Sequence, residues 1–107
     1  MSKPKDPFAA IADVTRRTIL ELLRDEGPLP AGEIAARFPQ ITREAVSRHV
    51  RLLREAGLLT REHRGREVWY ALDAEPLRAL HTAWLLSFAP LWESSLAELK
   101  RAAEEDA

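Results

Sequence analysis

Within ten consecutive positions the chain carries Thr42, Arg43, Glu44, Ser47, Arg48, His49 and Arg51. These side chains suit one chemistry in particular, the reading of a double-stranded DNA surface. Arginine pairs bidentately with guanine, serine bonds a base edge or a phosphate, and glutamate accepts from cytosine N4. One basic helix alone is more often a solvated face, so its neighbours have to decide the matter. Other chemistries find less support. The chain has no cysteine, which removes thiolate metal sites and cysteine nucleophiles. Its three histidines, His49, His63 and His81, fall in three different predicted elements, so no metal site is expected. There is no glycine-rich phosphate loop, no carboxylate pair in a plausible cleft and no nucleophile–base arrangement. Neither an enzyme nor a cofactor is therefore expected.

The element that must position these residues is a helix over residues 42–56. Val46, Val50 and Leu53 recur at the helical period and predict a core face. Thr42 is suited to accept an orphan N–H at the N-cap. Gly57 suits the left-handed position after the last turn, with Leu58 packing back on Leu53. Upstream, Pro30 to Phe38 reads as a short helix with Ile34, Ala35 and Phe38 inward. Pro39-Gln40-Ile41 makes the turn, with Ile41 plugging the angle between the two helices. Residues 30–56 thus form a helix-turn-helix pattern. Downstream, residues 58–72 read as a hairpin: a strand over Leu58–Glu62, a turn at Arg64-Gly65, and a strand over Glu67–Leu72. Val68, Tyr70 and Leu72 fall on one face, Trp69 and Ala71 on the other. The turn carries His63, Arg64 and Arg66, and such a basic wing makes Arg64 and Arg66 candidate DNA contacts.

The flanks complete the frame. Residues 1–5 read as a mobile tail. Asp6-Pro7 starts a first short helix, and Asp13 caps a second that runs to about Asp25, with Ile11, Val14, Thr18, Ile19, Leu22 and Leu23 as its stripe. Gly27-Pro28 stops it. Arg16 and Arg17 are candidates for phosphate contact or for ordinary surface charge. Residues 75–104 predict a long amphipathic helix, with Leu77, Leu80, Trp84, Phe88, Leu91, Trp92, Leu96 and Leu99 at three- and four-residue steps. Pro90 should kink or divide it near residues 86–90, and its end should fray into Glu104-Glu105-Asp106. Thirty helical residues would extend roughly 45 Å, more than a small core can cover, which predicts a partner chain on the aromatic stripe rather than a ligand box.

The 107 residues, 46% hydrophobic, bound the chain to one domain with a modest core. The net charge of −1 hides a polarity. Residues 43–66 carry seven arginines against Glu44, Glu55 and Glu62, a net of +4, whereas residues 73–107 carry seven acids against Arg78, Lys100 and Arg101, a net of −4. A chain so divided can hold phosphate with one part and repel it with another. No apolar run reaches the roughly 20 residues of a membrane span, and the N-terminus lacks the apolar core of a signal peptide. The expectation is a cytoplasmic protein with no membrane partner.

The runs Phe8 to Leu23, Gly32 to Phe38, Val46 to Leu59 and Arg64 to Leu72 together resemble the ArsR-type winged-helix transcriptional repressors. The Ser47-Arg48-His49 step followed by Leu53-Arg54-Glu55-Ala56-Gly57-Leu58 is the most specific part of the likeness. The resemblance implies a mostly α fold with a small β-hairpin, a winged helix-turn-helix with N- and C-terminal dimerisation helices. It implies a homodimeric repressor on a palindromic operator, with Phe8, Ile11, Leu80, Trp84, Phe88, Leu91 and Trp92 at the dimer interface. Val14 departs from the proline common in the family. Many members sense metals through cysteines before the recognition helix or through Asp-x-His and His-x-x-Glu on the C-terminal helix. Here those stretches read Pro30-Ala31-Gly32-Glu33 and Asp73-Ala74-Glu75, with only His81 beyond. The likeness is therefore to metal-independent members, with the effector unknown. The rival reading is a winged-helix protein-interaction module without DNA binding, with which the basic helix and basic wing sit poorly.

Overall fold

The computed structural model describes residues 6–105, so the expected tail at residues 1–5 and the Asp106 end lie outside the described residues. The elements run α1 (Pro7–Ile11), α2 (Val14–Glu26), β1 (Leu29–Pro30), α3 (Ala31–Ala36), α4 (Arg43–Glu55), β2 (Leu59–Arg64), β3 (Glu67–Leu72), α5 (Glu75–Ala83), a 3₁₀ turn (Leu85–Phe88) and α6 (Ala89–Glu105). The chain is mostly helical with one small antiparallel sheet, and it divides after Pro76 into two compact units.

In the first unit the helix starts follow local chemistry. The Asp6 carboxylate accepts from the Phe8 N–H, the Asp13 carboxylate from Arg16 N–H, and the Thr42 hydroxyl from Ala45 N–H. Each satisfies a donor that the first turn leaves orphaned. Helix α4 ends in a Schellman motif: Leu58 N–H reaches the Leu53 carbonyl at 3.0 Å and Gly57 N–H reaches Arg54 at 2.9 Å. Gly57 holds φ 81°, which a side chain would strain. The core comprises Ile19, Leu20, Leu23, Ile34, Val46, Val50, Leu53, Ala56, Leu58 and Leu59, with Ala10 from α1. Each large aliphatic side chain buried there stabilises the fold by roughly 1.5–3 kcal/mol.

The structure corrects several sequence expectations in this unit. The stripe of α2 is Ile19, Leu20 and Leu23, whereas Val14 is 66% exposed and Thr18 is exposed, its hydroxyl donating to the Val14 carbonyl. The helical phase cannot be carried through the break at Ala12-Asp13, so counting from Ile11 rotated the stripe away from Leu20. Ile41 is exposed rather than plugged between the helices, where Ile34 is buried and Phe38 half-buried. Two-residue β1 has no periodicity to detect. It pairs antiparallel with β3, Leu29 opposite Tyr70 and Pro30 opposite Trp69, giving the order β1-β3-β2. Pro30 is tolerated there because an edge strand can do without one donor.

The hairpin closes through Gly65-Arg66, with Arg64 opposite Glu67 and Gly65 at φ 63°. Positive φ at Gly65 but not at Arg66 is the mark of a type II′ turn, whose twist matches that of the strands. Val68 to Leu72 are all half-buried, so the alternation does not sort them into inside and outside. Pro28, Arg64 and Trp69 line a cleft on the outer face, which shelters that side as well.

In the second unit the long helix is divided. Helix α5 ends at Ala83, a 3₁₀ turn covers Leu85–Phe88, and Pro90 occupies the second position of α6, where a missing N–H costs little. The Ser87 hydroxyl donates to the Trp84 carbonyl, and the Trp84 and Phe88 rings meet edge to face at 5.1 Å. Helix α6 stays regular through Glu105, with no fraying at Glu104.

Candidate nucleic-acid interface

Helix α4 presents two faces. Val46, Val50 and Leu53 are buried, while Arg43, Glu44, Ser47, Arg48 and Arg51 line one open groove on the exposed side. The order along the helix explains the split, because steps of three and four residues return to one side of the rod. The Thr42 side chain at the N-cap is occupied by the Ala45 N–H at 3.0 Å. Glu44 in the first turn and Arg54 in the last complement the helix dipole. Arg43 also reaches back toward α3: its Nη2 lies 3.9 Å from where a Cβ on Gly32 would stand, and it borders the small cleft between Ala31, Ala35 and Tyr70.

His49 is brought elsewhere. It is half-buried, and its Nδ1 lies 3.2 Å from Arg16 Nη1 and 4.0 Å from the Asp13 carboxylate. Arginine has no acceptor, so the Arg16 contact assigns Nδ1 the lone pair and the proton to Nε2. Arg16 also donates to the carbonyls of Ala10 at 2.7 Å and Ala9 at 3.3 Å, and Arg17 donates to Ile11 at 2.7 Å. These two guanidiniums satisfy the last carbonyls of α1, a favourable place for cations. The Arg16–His49 link ties α1 and α2 to α4. The Arg16 backbone N–H holds the Asp13 carboxyl below the usual carboxylate range. Helices α2 and α3 are bridged by Arg37, which clasps Glu26 through both guanidinium nitrogens at 2.5 and 2.6 Å. That clasp holds the Glu26 carboxyl low.

On the wing, Arg66 is exposed at the turn. Arg64 lies over the Trp69 ring, its Cζ 4.3 Å from the centroid, and its Nη2 is 3.5 Å from the Glu62 carboxylate. Arg61 stands opposite Tyr70. Directly opposed residues share a sheet face, and Tyr70 lines the cleft with Val46, Ser47 and Val50. Arg61 therefore belongs to the side of the sheet that carries α4. Sequence reasoning passed over it, although counting back from the Gly65-Arg66 turn sets the register that places it there.

Phe8, Trp84, Phe88, Leu91 and Trp92 are exposed, and Ile11 and Leu80 are half-buried. Among the described residues no three histidine, aspartate or glutamate side chains gather in a metal-binding group, and no helix is long and apolar enough to cross a membrane.

Comparison with known proteins bears on this arrangement. The profile of a helix-turn-helix domain family matches residues 11–62. The transcriptional repressor SdpR of Bacillus subtilis is 36% identical over 81 residues, covering 76% of this chain and 87% of that protein. The HTH-type transcriptional regulator Rv2034 of Mycobacterium tuberculosis is 42% identical over 79 residues, covering 74% and 72%. Among solved structures, an ArsR family transcriptional regulator superposes with a TM-score of 0.70 at 34% identity, covering 81% of this chain and 87% of that one. An ArsR-like transcriptional regulator from Rhodococcus sp. RHA1 superposes at 0.63 with 34% identity, covering 90% and 88%. A winged helix-turn-helix whose second helix turns arginines and a serine outward, with this likeness along most of its length, belongs to the ArsR family of DNA-binding transcriptional regulators.

Proposed function

We propose that the protein is a homodimeric repressor that binds a palindromic operator in double-stranded DNA and acts without a metal. The observation that carries this reading is the division of α4 into a buried Val46–Val50–Leu53 face and an open face of Glu44, Ser47, Arg48 and Arg51. In a two-fold dimer, two such helices enter successive major grooves about 34 Å apart. Ser47 and Arg48 read base edges. Arg43, Glu44 and Arg51 read or position, Thr42 sets the start of the helix, and His49 acts from behind it. Arg64 and Arg66 of the wing hold phosphates, joined by Arg61 on the α4 side of the sheet. Residues 1–107 work as one DNA-binding domain, with residues 75–104 as its dimerisation element. Repression follows from occluding the promoter.

Dimerisation is supported by the apolar side chains left in the open. Leu91, Trp92, Leu96 and Leu99 are 67%, 49%, 65% and 68% exposed along α6, and a stripe of that kind calls for cover. A second copy covers it, with Phe8, Ile11, Leu80, Trp84, Phe88, Leu91 and Trp92 as the interface. Metal independence is supported by the lack of cysteine and by the separation of His49, His63 and His81 among three elements.

The test is titration of palindromic duplexes, selected from random sequence by the purified protein, across a range of salt. Affinity should fall steeply, by roughly 0.9 in logarithmic slope for each phosphate neutralised. A flat response would remove the electrostatic account. Arg48→Ala should lose about 1–3 kcal/mol on the selected sequence and little on others, whereas Arg66→Ala should weaken all sequences alike. A chelator should leave binding unchanged.

A further inference from the structure

We infer that Trp69 positions the wing's Arg64 and that Glu62 competes for it: the indole holds the guanidinium over its ring, and the carboxylate occupies it until a duplex phosphate takes its place. The inference rests on the reading of the wing as a phosphate contact. It begins with register. Glu62 stands opposite Trp69 and Arg64 opposite Glu67, so period-two alternation puts Glu62, Arg64, Glu67 and Trp69 on one face of the hairpin. Glu62, Arg64 and Trp69 line a common cleft there.

The Arg64 Cζ at 4.3 Å from the ring centroid is well inside the range of a cation–π contact. A guanidinium held against an indole loses rotamer freedom during folding instead of during binding, while its N–H groups remain available to an acceptor. The Glu62 contact is of a different kind. At 3.5 Å it is much longer than the roughly 2.7–2.9 Å of a strong charge-assisted bond, and both side chains are well exposed, at 46% and 67%. A phosphate oxygen that reaches Arg64 at normal length is the better acceptor and displaces the carboxylate without breaking any buried contact. The Trp69 ring is held by packing and by the cation: its Nε1, shielded from solvent, has no hydrogen-bond partner among the described residues. Phenylalanine at position 69 therefore keeps the aromatic face and gives up no hydrogen bond.

The experiment uses the full chain and a fluorescently labelled duplex of mixed sequence at fixed salt, because phosphate contacts do not depend on sequence. Arg64→Ala should weaken binding. Trp69→Leu should weaken it about two- to five-fold per wing, the range of an exposed cation–π contact, and Trp69→Phe should restore it. Glu62→Gln should tighten binding about two- to five-fold, the scale of an exposed ion pair. The decisive readout is the double-mutant cycle. In an Arg64→Ala background the effects of both Glu62→Gln and Trp69→Leu should vanish. If the Glu62→Gln gain persists there, the carboxylate acts by general repulsion of DNA and the inference is overturned. If Trp69→Leu fails to fold, Glu62→Gln with and without Arg64 still decides, since Glu62 is an exposed side chain. If Arg64→Ala alone binds like the unaltered protein, the phosphate-contact reading of the wing has failed, a result distinct from a failed cycle.

Discussion

The segments before and after Pro76 both carry apolar side chains at helical spacing, yet they dispose of them in opposite ways. In the first, the stripes of α2, α3 and α4 converge and bury Ile19, Ile34, Val46, Leu53 and Leu58 almost completely. In the second, α5, the 3₁₀ turn and α6 bury no side chain fully, and Leu91, Trp92, Leu96 and Leu99 lie open. The same sequence signal thus has two meanings. Where several amphipathic elements meet, periodicity specifies a core; where one stands uncovered, the same periodicity leaves an apolar stripe at the surface. The charge follows the same line, with the arginines of residues 43–66 on the packed unit and the acids of residues 73–107 mostly on the open one.

The contrast is easiest to break with leucines. Leu53→Ala should cost about 2–5 kcal/mol in chemical denaturation, because a fully buried side chain leaves a cavity. Leu96→Ala should cost under about 0.5 kcal/mol at protein concentrations low enough to keep the chain monomeric, as for other surface sites. Equal losses in dilute solution would mean that α6 is covered by its own chain. Next in size, Leu96→Asp should weaken self-association at least about tenfold by analytical ultracentrifugation while leaving dilute-solution stability near that of the parent. An unchanged assembly would move the interface off α6. Within the packed unit, Thr42→Ala should remove about 1 kcal/mol by loss of the Ala45 cap, and it should loosen DNA binding by fraying the start of α4.

The smallest effect is a pH dependence at Asp13. Its carboxyl is held low in the folded chain, first by the Arg16 backbone N–H. A lowered folded pKa means a contribution present at neutral pH and lost as the pH falls through the carboxylate range. Asp13→Asn keeps a capping oxygen but not the charge, so its stability deficit should shrink toward zero in acid. A deficit that stays constant with pH would show that the charge plays no part.

Much of the packed unit was legible because its signals are local. Asp6, Asp13, Thr42 and Gly57 announce helix ends through hydrogen bonds within a few residues of themselves, and the structure places each cap where its chemistry asks. The Arg-and-Ser face of α4 was legible for the same reason, since its partner stripe lies on the same sixteen-residue stretch, 42–57. What escaped depended on distant residues. Pro30 became a strand residue only because Trp69 arrived beside it. His49 was legible as a neighbour of the Val46–Val50–Leu53 face, but its partner was not: Arg16, thirty-three residues earlier, reaches it from α2. Arg64 looked like a free wing cation until β3 folded back and set Trp69 beneath it.

Helix starts and stops, the turn at Gly65 and the two faces of α4 are properties of short stretches, because backbone capping, left-handed glycine and the 3.6-residue period act over a few positions. Which of Leu20 and Val14 enters the core, where Arg16 and Arg17 spend their charge, and what holds Arg64 are decided only in three dimensions, because each depends on which surface a distant segment brings against it.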